Sequence, residues 1–262
     1  MRLPGLIYYS QIEHSHAGKS VYRAAQARYP KIVLENPWLA FNPKKDEPKV
    51  HKTDLPFFQG FNKGMNARKG TDKKNYVLAE HLEPHPYLGN PKANVLVLMA
   101  NPGMNEEEKS LEFRMNPKKA VQNRNNLRHE DLESFKSRID SSNEPELESV
   151  WFKPRVRELV KQTSVDRVTK GLFLVNFHAY HSRSWHPIPF TFPSQHYSFH
   201  LVSEAVKRDA MIIMSRNMLG WFTAVPGLFD HKNRVEFEST RSVYLSEGNL
   251  GNSAFKKVLE RL

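Results

Sequence analysis

The sequence predicts an α/β protein, a three-layer sandwich around a central, mostly parallel four-stranded sheet. Two patterns carry this expectation. Short apolar blocks recur at residues 94–100 (NVLVLMA), 171–176 (GLFLVN) and 210–215 (AMIIMS), with a weaker one at 241–245 (RSVYL). Apolar runs of this length between turn residues mark strands buried on both faces, the usual state of strands in a parallel sheet. Amphipathic helical patterns lie between the blocks, and strands alternating with helices imply βαβ units.

Residues 1–75 are polar and basic and read as an N-terminal extension, partly loop. Within it, 20–29 has the pattern of a short helix, and the apolar stretch 32–41 is interrupted by Pro37. Residues 44–74 are rich in Lys, Asn and Gly, the composition of a loop, with Phe57, Phe58 and Phe61 set among lysines. The character changes at Pro84, and an α/β domain is expected over 76–262. Its first strand, 94–100, is followed by a long charged insertion at 104–145, opening with the acidic run 106–108. A helix is expected at 151–162, where Trp151, Val156, Leu159 and Val160 fall at helical spacing. The second strand, 171–176, leads to a helix at 195–208 carrying Phe199, Val202 and Val206. After the third strand comes a short helix at 219–225, then the strand at 241–245 and a closing amphipathic helix at 253–262.

The 39 Lys and Arg outweigh 28 Asp and Glu, a net charge of +11. That excess favours a polyanionic partner such as nucleic acid. Cysteine is absent, which excludes disulfides, thiolate zinc sites, iron–sulfur clusters and a cysteine nucleophile. No window approaches 18 apolar residues and the N-terminus lacks a signal-peptide core, so a soluble cytoplasmic protein with no membrane partner is expected.

Ligands of an open parallel sheet bind beyond the carboxyl ends of its strands. Four segments qualify: Asn101-Pro102-Gly103, residues 176–185, Ser215-Arg216-Asn217 and residues 246–252. Three of them carry an Asn within a residue or two of the expected strand end. One such Asn is explained by its skill at capping turns; the set is explained less well.

At these positions the chain resembles the uracil-DNA glycosylase superfamily. Pro86-Tyr87-Leu88-Gly89-Asn90-Pro91, a buried strand and then Asn101-Pro102-Gly103 look like its opening motif. The nearest likeness is to the mismatch-specific and single-strand-selective branch. Leu174-Val175-Asn176 is similar to the strand end whose Asn reads the base edge. Ser246-Glu247-Gly248-Asn249-Leu250-Gly251 stands where the superfamily has its closing loop. The likeness spans 76–262. It implies a monomeric hydrolase, with no cofactor or metal, that cleaves the N-glycosidic bond of a base flipped out of DNA. Asn101 would place the attacking water; because an amide is a weak base, transition-state electrostatics would supply most of the rate. Asn176 would pair with the Watson–Crick edge of the base, with Phe177, Tyr180 or Phe113 stacked on it. Backbone N–H groups around Ser246, Gly248, Asn249 and Gly251 would grip phosphates at the last helix. Leu250 would enter the vacated stack, and Arg183 and Arg216 would contact DNA.

The chain also departs from the pattern. Ser246 stands where the loop has His or Asn, and Glu247 replaces a proline. A pocket so altered points to a modified base, such as a hydroxymethylated or glucosylated pyrimidine of phage DNA, and hence to anti-phage defence. Uracil or mismatch repair is the alternative, and a non-catalytic binder of modified DNA is another. The spacing His178-x-x-His181 with His186 nearby would suit a metal, but loop histidines beside a DNA groove are more often polar contacts. A nucleotide-binding enzyme would need a glycine-rich phosphate loop after the first strand, and Asn101-Pro102-Gly103 has a single glycine.

Overall fold

A computed structural model describes residues 35–68, 70–104, 117–140, 147–239 and 243–262. The chain divides into two compact units, Met1–Glu35 and Asn36–Leu262, and the elements below belong to the second. Five strands form one sheet: β1 (Tyr87–Gly89), β2 (Val95–Met99), β3 (Leu172–Asn176), β4 (Met211–Met214) and β5 (Arg234–Glu236). Their spatial order is β1-β3-β2-β4-β5. β2 is parallel to both β3 and β4, β4 is parallel to β5, and β1 runs antiparallel to β3. The helices are α1 (Leu55–Asn66), α2 (Pro117–Arg128), α3 (Glu133–Ile139), α4 (Leu147–Gln162), α5 (Val165–Gly171), α6 (Gln195–Lys207), α7 (Met218–Ala224), α8 (Glu247–Leu250) and α9 (Asn252–Arg261).

The period-two alternation of strand side chains divides the apolar blocks between two cores. Leu96, Leu98, Phe173, Val175, Ile212 and Met214 face a core shared with Phe58 and Phe61 of α1, Val202 of α6 and Trp221 of α7. Val95, Val97, Leu172, Leu174, Met211 and Ile213 face the other, with Phe135 of α3, Val156 and Leu159 of α4 and Phe255 and Val258 of α9. Sheet between two helical layers is the expected sandwich. Burying a side chain of this size contributes about 1.5–3 kcal/mol, so residues as fully enclosed as Leu96 and Ile213, both at 0% exposure, hold the layers together.

Two expectations about the sheet need correction. Among the described residues it has five strands, not four. Of the strand expected at 241–245, residues 241–242 lie outside the described residues and 243–245 are not a strand: Val243 and Leu245 pack into the second core, and the Leu245 N–H donates to the Arg155 carbonyl in α4. The outer parallel strand is β5, whose only apolar residue is Val235. β1 is the added antiparallel strand. It requires glycine at Gly89, where φ is +99° and an added Cβ would lie 2.6 Å from the Leu172 carbonyl oxygen.

The expected boundary at residue 75 falls inside the second unit. Trp38, Phe41, Val50, Phe58, Phe61 and Met65 are all buried in the first core. Part of the insertion 104–145 is helical, as α2 and α3. The polar α2 is held by its amides: Asn126 accepts from the Gly89 N–H and donates to the Tyr87 carbonyl, and Tyr87 Oη donates to the Leu127 carbonyl at 2.6 Å. The helix expected at 20–29, most of the stretch 32–41 ahead of Pro37, and the acidic run 106–108 lie outside the described residues.

Candidate functional site

Because β2 to β5 are parallel, their carboxyl ends share one edge of the sheet. β1 runs the other way, so the residues leading into it, 83–86, arrive at that same edge. The chain leaves β2 for β3 on one side and then crosses to β4 on the other. The ends of β2 and β4 therefore flank the topological switch point, where doubly wound sheets bind ligands.

Asn101 lies two residues beyond β2, and Asn176 is the last residue of β3, in register with Met99. Hydrogen bonds connect the two exits. Asn101 Nδ2 donates to Ser182 Oγ at 2.8 Å and to the Pro102 carbonyl at 3.2 Å. Gly103 and Ser182 form an isolated parallel bridge. His181 Nδ1 lies 2.8 Å from the Gly103 carbonyl oxygen; a carbonyl only accepts, so this nitrogen carries the hydrogen. The His181 ring meets the His85 ring at 4.9 Å and 64°, and the His85 carbonyl accepts from Asn176 Nδ2 at 2.8 Å. Asn176 is 7% exposed and its buried Oδ1 has no hydrogen-bond partner.

A cleft of about 20 Å³ opens beside this network, walled by Glu83, His85, Lys119, Asn123, Arg138 and His181. That volume admits one water-sized body and no nucleobase. Glu83 pairs with Arg124 at 3.0 Å. Burial raises its pKa above the ordinary carboxylate value, and the charges of Arg124 and Lys49 counter the rise only in part. Among the described residues, no three His, Asp or Glu side chains are grouped to hold a metal ion.

The remaining expected site residues fall in different surroundings. Tyr180 is fully buried: its hydroxyl donates to Asp54 at 2.6 Å and accepts from the His51 N–H at 3.2 Å. Its ring packs edge-on against Phe58 and Phe192, so it is a core residue and not a stacking wall. Phe177 is half-buried, with its ring against Phe199 and Trp221 at 5.2 and 5.1 Å. Phe113 lies outside the described residues. Arg183 and Arg216 are exposed, each beside a strand exit.

The closing turn sits against β5, two strands from β2. Asn249 Oδ1 accepts from the Ser239 N–H at 2.8 Å and its Nδ2 donates to the Tyr244 carbonyl, so the side chain staples the loop. Leu250 is 6% exposed and belongs to the second core; it does not project as a wedge. Ser246 precedes α8 with no capping bond from its side chain; its carbonyl accepts the Asn249 and Leu250 N–H groups, while the Gly251 N–H bonds the Glu247 carbonyl. Gly248 is exposed. The two strand-end amides Asn101 and Asn176 are thus joined through neighbouring residues, and the third segment lies apart. Sequence reasoning singled out neither Glu83 nor His85, because only folding of the β1 approach brings them to this edge.

No protein-family model matches the chain, and no curated protein or solved structure matches it.

Proposed function

We propose that the chain is a DNA glycosylase, hydrolysing the N-glycosidic bond of an extruded base to leave an abasic site. The observation that carries this reading is the placement of Asn101 and Asn176 at adjacent strand exits. These residues, distant in sequence, lie just beyond β2 and at the end of β3, Asn101 donating to Ser182 Oγ and Asn176 to the His85 carbonyl. In this reading Asn101 orients the water and the buried Asn176 amide, with Oδ1 left to accept, pairs with the base. The net charge of +11 supplies long-range attraction to the DNA backbone. A modified pyrimidine as substrate and a role in defence against phage DNA rest on the sequence departures at Ser246 and Glu247 alone, since the closing turn lies apart from Asn101 and Asn176.

The small cleft favours a second reading, a protein that binds modified DNA without cutting it. One experiment separates the two. Oligonucleotides carrying uracil, 5-hydroxymethylcytosine or its glucosylated form are incubated with wild type and Asn101→Ala, and free base and alkali-labile sites are measured. Release by wild type, reduced on the order of 100-fold or more in the variant, supports the enzyme. Tight binding with no base released from any probe supports the binder.

A further inference from the structure

We propose that the surface where α1, the loop after β3 and the 3-10 turn Thr71–Tyr76 meet is a platform for a single-stranded nucleic acid. Its aromatic rings take the bases and its arginines and lysines face the phosphates. The inference goes beyond the glycosylase reading and holds whether the strand-exit site cuts DNA or only binds it.

Ring contacts and a backbone bond make these segments one surface. Phe57 of α1 is 44% exposed and its ring meets Phe190 at 5.7 Å. Phe190 also meets Phe61, one helical turn on, at 6.4 Å. The Ser184 N–H donates to the Asn75 carbonyl at 2.9 Å, and beside that bond the rings of Tyr76 and His186 stack at 4.7 Å and 29°. Burial, and next the charge of nearby Arg68, lower the His186 pKa, which puts that guanidinium beside the stacked pair. Trp185 lays one face on the buried His178 ring. Tyr76, Trp185, His186 and Phe190 all remain partly exposed. Rings bedded on the protein and still open to solvent suit bases, whose faces are free only in an unpaired strand.

The charge of these segments matches a phosphate backbone. Residues 55–68 and 177–203 contain no Asp or Glu, although the chain holds 28. Arg68 is exposed, as are Lys74 and Arg183, each two residues ahead of a platform ring. Gly60 and Gly64 follow Phe57 at helical spacing. Nothing among the described residues lies within 4 Å of a Cβ added at either, so a strand can approach the α1 backbone beside the rings. Pro187 and Pro189 fix the loop on both sides of Ile188, and a loop ordered in advance loses less entropy on binding. The loop starts at the end of β3, and its Ser182 accepts from Asn101. The platform is therefore continuous with the strand exits.

Fluorescence anisotropy of the full chain tests this, with a labelled strand of about 20 thymidines and the same strand paired with its complement. The proposal expects the single strand to bind about tenfold or more tightly than the duplex. Phe57→Ala and Trp185→Ala each weaken that binding about tenfold, while Trp185→Phe, which keeps a ring, stays within about threefold of wild type. Arg68→Ala and Lys74→Ala each lower the slope of log affinity against log salt by about 0.7. Thermal unfolding is followed in parallel; where Trp185→Ala folds poorly, the exposed Phe57→Ala carries the test. Single-strand affinity within about threefold of wild type in the folded alanine variants, or a duplex bound as tightly as the single strand, overturns the proposal. Retention on anionic phospholipid vesicles that Phe57→Ala abolishes, without single-strand binding, overturns it and assigns the surface to a membrane. Base release from the modified probes is scored separately. Strand binding without release removes the glycosylase reading and leaves the platform; release with unaltered strand binding in every variant removes the platform alone.

Discussion

His178 is buried at 2% exposure with neither ring nitrogen hydrogen-bonded. Its ring stacks on Trp185 at 5.0 Å and 25°. The amide of nearby Gln195 is already engaged, donating to the Phe177 carbonyl and accepting from the Phe192 N–H. Burial lowers the His178 pKa to about 4, with Gln195 opposing the shift. The unfolded chain, titrating near 6.5, therefore binds more protons between those values. Stability must fall as pH falls through that window and be fully restored above it. His178→Phe keeps the stack and removes the titration. It is expected to unfold within about 1 kcal/mol of wild type at pH 7, with a shallower loss of melting temperature between pH 6.5 and 4. His129, also held near 4 by burial, retains part of the acid limb. Identical acid slopes in the two proteins would show that His178 is hydrated. The sequence presents His178 and His181 as one spacing motif, yet folding seals the first among aromatic rings and turns the second to the cleft.

At the scale of elements, Asp54 decides how α1 docks. It is 0% exposed and accepts from Tyr180 Oη, Ser194 Oγ and the Ser194 N–H, joining the start of α1 to the exit of β3 and the start of α6. Asp54→Ala strands these buried donors and is expected to cost about 3 kcal/mol or more, while Tyr180→Phe costs about 1 kcal/mol. Urea unfolding measures both; a silent Tyr180→Phe would show that the hydroxyl's bond to Asp54 does not help hold α1. These contacts also show what the sequence conceals. β2, β3 and β4 are legible because both faces are buried and their residues are almost all apolar. β5 offers one valine in three residues, and β1 is defined by a glycine and by the helix outside it. The stripe Phe58, Phe61 and Met65 has helical spacing, but Gly60, Gly64 and the surrounding lysines give the segment the composition of a loop. In the last turn, the apolar Leu250 and the amide of Asn249 suit a DNA-facing loop as well as a folded staple. Only the burial of Leu250 and the bonds of Asn249 to its neighbours distinguish the two.

At the scale of the molecule, the core begins well before the apolar blocks. A chain starting at Asn36 keeps Trp38, Phe41, Val50, Asp54 and Phe58 and is expected to unfold cooperatively. A chain starting at residue 76 loses them all, removing several side chains that each contribute about 1.5–3 kcal/mol, and is expected not to fold. Circular dichroism melts of the two truncations test this, and a cooperative melt of the shorter chain would refute it.

The short β1 and the amides of α2 also govern how the molecule meets copies of itself. β3 is apolar for four of its five residues, and as an outermost strand it would invite edge-to-edge pairing between chains. β1 covers that border, and Asn126 takes up the N–H of Gly89 and the carbonyl of Tyr87 on its far side. At the opposite border β5 is three residues long and carries Arg234 and Glu236. Losing the Asn126 bridge would therefore be felt first as precipitation of the protein, before any change in its chemistry.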